Sequence, residues 1–114
     1  MVTLDGLNGW LTDAPESEHL EFKEAKQQYD TAKLLRYCVA LANEGGGHLV
    51  LGVSDKRPRR VVGTQAFQNR GDITARILEA LRLRVEVQEL QHPDGRVLVF
   101  DVPSRPSGMP LHHE

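Results

Sequence analysis

The chain from Glu16 to Asp55 reads ESEHLEFKEAKQQYDTAKLLRYCVALANEGGGHLVLGVSD, and its periodicities set the architecture. From His19 to Lys23 the residues alternate. Leu20 and Phe22 fall on one side and His19, Glu21 and Lys23 on the other, the period-two signature of a half-buried strand. Asp30 or Thr31 then offers a side-chain oxygen to a free N–H of a first helical turn. Leu34, Leu35, Cys38, Leu41 and Ala42 form the apolar stripe of that helix. Gly45, Gly46 and Gly47 stop it, because glycine takes the left-handed cap conformation without steric cost. His48 to Val53 is almost wholly apolar, as expected of a central strand covered on both faces.

Upstream of this block, Leu4, Leu7, Trp10 and Leu11 recur at helical spacing, with Pro15 as a stop. They predict a short helix or coil that packs Trp10 and Leu11 onto the core or a partner. Downstream, Ser54 to Arg60 is a basic loop, and Arg60 to Val62 ahead of Gly63 predicts a short antiparallel strand. Residues 64–71 read as a loop. A second helix follows, with Asp72 as its candidate N-cap and Ile73, Ile77, Leu78 and Leu81 on its buried face. Leu83, Val85 and Val87 alternate with polar residues, His92-Pro93-Asp94-Gly95 is a turn, and Arg96 to Val102 returns, so 83–102 is a hairpin. Pro103, Pro106, Gly108 and Pro110 mark an irregular tail. The expected order is β-α-β-β-α-β-β: one α+β domain over 1–114, a two-layer arrangement with a mixed sheet and two main helices on one of its faces.

The 114 residues support one hydrophobic core. No apolar run approaches the ~18 residues of a membrane helix. The N-terminus has neither the basic start nor the apolar stretch of a secretory signal. The single cysteine, Cys38, excludes an internal disulfide and every multi-cysteine zinc pattern. These features favour a cytoplasmic protein without a membrane partner. A net charge of −2 argues against the broad basic excess of a dedicated nucleic-acid binder, yet Lys56, Arg57, Arg59 and Arg60 crowd into one loop. Such cations neutralise phosphates without reading sequence, and Lys23 and Lys26 extend the patch. A solvated hairpin tip is the alternative.

Glu16, Glu18, Glu21, Glu24 and Asp55 cluster near the ends of two strands expected to be neighbours. Magnesium and manganese prefer oxygen ligands, and phosphodiester hydrolysis uses ions held by converging carboxylates. Glu16 and Glu21 would lie on opposite faces of a continuous strand and about 140° apart on a helix. They converge only if Glu16 sits in the approach loop; on spacing alone, solvated surface acids are the simpler reading. The glycines precede a strand rather than a helix and no Gly-Lys-Ser/Thr occurs, so nothing builds an ATP site. His19, His112 and His113 read as surface residues and Cys38 as core.

The segments E-S-x-x-L-E-F-K at 16–23, A-L-A-N-E-G-G-G-H-L-V-L-G-V-S-D at 40–55, V-G at 62–63 and V-P at 102–103 resemble the Schlafen/AlbA-like DNA-binding domain. That domain occurs in bacterial proteins labelled RecG-related ATP-dependent DNA helicases or transcriptional regulators. The resemblance implies nucleic-acid binding, and a piece of a longer protein with further C-terminal domains. Animal Schlafen relatives use three carboxylates of this domain as a metal-dependent endoribonuclease site. By motif these would be Glu16, Glu21 and Asp55, with magnesium or manganese as cofactor. The Schlafen nuclease relies on a doubled domain, so that reading implies a homodimer. A third option, apart from the resemblance, is a non-catalytic assembly or dimerisation domain that holds a larger regulator together through its sheet edge or Trp10.

Overall fold

The computed structural model describes residues 2–13 and 19–105. Its elements are α1 (Leu4–Asp13), β1 (Leu20–Lys23), α2 (Thr31–Asn43), β2 (Gly47–Leu51), α3 (Arg70–Leu81), β3 (Glu86–His92) and β4 (Gly95–Val102). The sheet order is β1-β2-β4-β3. β1 runs parallel to β2, and β2–β4 and β4–β3 are antiparallel. The parallel pair needs a crossover longer than a hairpin turn, and α2 supplies it. This is the expected α+β domain with a mixed sheet. The short return expected at 60–62 is reduced to a single bridge between Val53 and Val61. Pro15, Glu16, Glu18, and the tail from Pro106 onward with His112 and His113 lie outside the described residues.

Alternation divides the sheet residues between two cores. Leu49, Leu51, Leu98, Phe100 and Val102 pack under α2 and α3 with Leu34, Cys38, Leu41, Ile73 and Ile77. Leu20, Phe22, Val50, Val97 and Val99 turn the other way, where Leu7 of α1 is fully buried among them with Trp10 and Leu11 alongside. α2 and α3 therefore share one face as expected, and α1 seals the other. The Gln88 amide fastens the start of α1: it accepts from the Val2 N–H at 3.0 Å and donates to the Val2 carbonyl. Burial pushes the Cys38 thiol up to about 12, so it is a small core residue rather than a nucleophile.

Asp30 caps α2 by accepting from Ala32 N–H at 3.3 Å. At its end Gly46, with φ of 96°, donates to the Leu41 carbonyl at 2.8 Å, a left-handed stop that delivers the chain into β2. α3 begins earlier than expected. Asn69, not Asp72, is its cap and accepts from the Asp72 N–H at 3.1 Å. Asp72 sits in the first turn, where its charge complements the helix dipole. Leu78 is 37% exposed rather than on the buried face.

Arg96 ties the 64–67 segment to the hairpin. Its guanidinium donates to Glu89 Oε1 at 2.6 Å and to the carbonyls of Thr64, Ala66 and Phe67 at 3.1, 2.7 and 3.0 Å. The bond from Arg96 holds the Glu89 carboxyl below its usual range, outweighing the opposing effect of partial burial. A carboxylate with a depressed folded pKa adds stability above its unfolded value, about 4.3, and loses it as pH falls through the folded value. Glu89→Gln is therefore expected to be less stable than the parent in denaturant titrations at pH 7. The difference should close as pH falls through the folded value. A gap that persists unchanged into acid would show that the ionised pair contributes nothing.

Candidate nucleic-acid interface

The polar side of β1 faces the same way as α2. Glu21 pairs with Leu49 and Lys23 with Leu51, and both leucines lie under that helix. Because β1 is an edge strand, its polar side chains and the outer flank of α2 bound an open cleft of about 550 Å³. Lys23, Tyr29, Lys33, Arg36, Tyr37 and Asp55 line it. Asp55 reaches the cleft because Gly52 bends the chain just after β2. Gly52 holds φ of 102°, and a Cβ there would meet the Arg96 carbonyl at 2.8 Å. Its own N–H donates to the Lys23 carbonyl at 2.9 Å, so β2 exits beside the end of β1.

Lys23 is the hub of the cleft. Its ammonium lies 5.5 Å from the Tyr37 ring centroid. Partial burial alone would lower its pKa, but the Tyr37 hydroxyl and the negative potentials of Asp55 and Glu21 raise it above the usual value. Glu21 and Asp55 thus act on one ammonium, as they do on the Tyr29 phenol, which burial first and Tyr37 second push up to about 12. Of the three expected carboxylates, these two share the cleft's field; Glu16 lies outside the described residues. Among the described residues no three His, Cys, Asp or Glu side chains group as a metal site. His19 is drawn away from the cleft, its Nδ1 2.9 Å from the Gly46 carbonyl.

The basic loop wraps from this cleft around the edge of β1 to the sheet's other face. Ser54 closes its base: its N–H donates to the Arg60 carbonyl and its Oγ accepts from the Arg60 N–H, both at 2.9 Å. Arg59 lies over the Phe22 ring, 4.5 Å from its centroid, where cation–π attraction and partial burial anchor the loop. Lys56, Arg57 and Arg60 are exposed, as is Lys26 just past β1. Among the described residues, no carboxylate pairs with Lys56, Arg57 or Arg60, nor with Lys33 or Arg36. Lys33, Arg36, Tyr29 and Tyr37 also line the cleft and were overlooked by motif reading. Their signal is the i, i+3, i+4 spacing of Lys33, Arg36 and Tyr37, which marks a second helical face beside the apolar stripe.

A family model described as Schlafen, AlbA_2 matches residues 16–114. The chain belongs to that family. The solved N-terminal domain of a Nitrosomonas europaea protein, named as related to the ATP-dependent DNA helicase RecG, is similar. The TM-score is 0.64 at 27% identity, over 97% of this chain and 77% of that one. The DIP2311 protein of Corynebacterium diphtheriae shares the fold, with a TM-score of 0.66 at 21% identity over 84% of this chain. This chain spans only 19% of that protein's length. No curated protein matches. Among the described residues no helix is long and apolar enough to cross a membrane. The family match starts after α1, so the helix that seals the second sheet face lies outside it.

Proposed function

We propose that this Schlafen/AlbA_2 domain is a nucleic-acid-binding module of a RecG-related helicase-like or transcriptional regulator protein. Its phosphate contacts come from the exposed cations of the 54–60 loop. The carrying observation is that Lys56, Arg57 and Arg60 are held in one closed loop without carboxylate partners among the described residues, continuous through Asp55 with Lys33 and Arg36. Solvent ions must neutralise such cations unless a phosphate backbone does, and releasing those ions favours binding. Arg59 positions the loop through Phe22, and Lys23 and Lys26 add positive potential at its near end. Fluorescence anisotropy with short labelled DNA and RNA at about 50 mM salt tests the reading. Saturable binding is expected, and no binding to either polymer contradicts it.

A second reading, a manganese- or magnesium-dependent ribonuclease, draws on one observation: Asp55 lines the cleft beside Lys23, and Glu21 lies on the same side of β1 as that lysine. Two oxygen donors suit a hard divalent ion, and Glu16 would be the third, with a homodimer supplying the doubled domain. The ion would polarise a phosphodiester and activate water. Structured RNA should then be cleaved only with added Mn²⁺, and Asp55→Asn should lower the rate by roughly 100-fold or more. Absence of both cleavage and any thermal shift with Mn²⁺ removes this reading and leaves the binding module. A dimer without affinity for any nucleic acid would instead identify an assembly domain.

A further inference from the structure

A purely electrostatic phosphate track needs an open surface, and the cleft between β1 and α2 offers more than that. Tyr29 and Tyr37 stand in its walls, each half-buried against the main core and so held in place. Its volume of about 550 Å³ falls within the range of pockets that enclose small ligands. A paired base is stacked inside a duplex and cannot enter such a pocket, whereas an unpaired base brings a flat π-face that an aromatic ring accepts whatever its sequence.

The charges of the cleft are also sorted. Lys33 and Arg36 are three residues apart on α2 and therefore occupy neighbouring positions on one flank. The strand side carries Asp55, with the field of Glu21 acting on Lys23 beside it. Among the described residues the helix flank of the cleft contributes cations, whereas on the strand flank Lys23 is offset by Asp55 and Glu21. A phosphate is therefore drawn more strongly to the helix flank, which orients a nucleotide in one sense.

We propose, resting on the nucleic-acid reading above, that this cleft receives one unpaired nucleotide of a single strand or loop. Its phosphate lies against Lys33 and Arg36 and its base against Tyr29 and Tyr37. The cations of the 54–60 loop hold the phosphates of its neighbours. Tyr29 remains a neutral phenol at physiological pH and does not oppose the phosphate. The protein thereby favours unpaired over duplex nucleic acid by shape, while the loop alone would bind both.

The test compares a short labelled single strand, as DNA and as RNA, with a blunt duplex of equal length, using the full chain. Tyr37→Leu and Tyr29→Leu should each weaken single-strand binding by roughly tenfold and leave duplex binding unchanged. Tyr37→Phe keeps the ring and should bind like the parent. A 2-aminopurine placed in the strand should be quenched by the parent and by Tyr37→Phe, and less by Tyr37→Leu. The quenching arm on the parent decides the matter even if a leucine variant fails to fold. The tighter of the DNA and RNA arms assigns the sugar. Equal losses on single strand and duplex, unchanged binding by the leucine variants, or no quenching by the parent overturns the cleft assignment while the binding module stands. If the parent binds none of the polymers, both readings fall together.

Discussion

Replacing Lys56, Arg57 and Arg60 together by glutamate is expected to weaken binding to a short single strand by roughly 100-fold or more near 0.1 M salt. Each phosphate contact on a single strand releases close to 0.7 of a counterion, so three lost contacts remove about two powers of ten at that salt concentration. Reversal adds repulsion to the loss. The three side chains are exposed and make no ion pairs among the described residues, so the fold should be unaffected. Thermal unfolding of the variant should match the parent, which separates lost binding from lost structure. Arg59→Glu should behave differently, because its guanidinium covers Phe22 and the change disturbs loop and core together. Parent-like affinity of the triple variant would remove the loop from the interface.

Phe100→Ala is the substitution expected to cost most in stability. Phe100 lies in β4, between β2 and β3, is fully buried, and meets the Phe67 ring edge-on at a centroid distance of 6.1 Å. Truncating a buried phenylalanine removes its transfer free energy and leaves a cavity, together about 4 kcal/mol. A small domain is stable by only ~5–15 kcal/mol, so the midpoint should fall by roughly 15–25 °C. Leu78→Ala, at a partly exposed site of α3, should cost under about 1 kcal/mol. Urea titration of both variants measures the contrast. Comparable losses would contradict the placement of the core between the helices and β4.

Much of this was legible in the sequence because local patterns and tertiary demands agree. The alternation at Leu20–Lys23, the glycine stop at Gly45–Gly47 and the apolar run into β2 each encode an element that burial then reinforces. The start of α3 was not legible. Arg70-Gly71 reads as loop, and both Asn69 and Asp72 can cap a helix; which one does depends on where the chain leaves the Arg96-bound segment. Residue counting also could not separate Arg59 from its neighbours, since only the fold puts an aromatic ring beneath it. The cleft required knowing that α2 packs on β2 and β4 and leaves its outer flank beside the polar side of the edge strand β1. Tyr29, Lys33, Arg36 and Tyr37 carry no motif, and acquire meaning once parallel pairing of β1 with β2 brings Asp55 opposite them.

Spacing alone made Glu16, Glu21 and Asp55 ordinary surface acids, and the motif assigned them a role. The geometry adds that Asp55 and Lys23 line one cleft together with Lys33 and Arg36, two cations without carboxylate partners among the described residues. Those cations are why binding is proposed first and hydrolysis second.

The salt dependence of single-strand affinity tests the binding account most directly. If Lys33, Arg36, Lys56, Arg57 and Arg60 each neutralise a phosphate, the logarithm of the association constant should fall with the logarithm of salt at a slope of about −3.5. The glutamate triple variant, with two contacts left, should show about −1.4. A parent slope near zero, or the same slope in parent and variant, would contradict it.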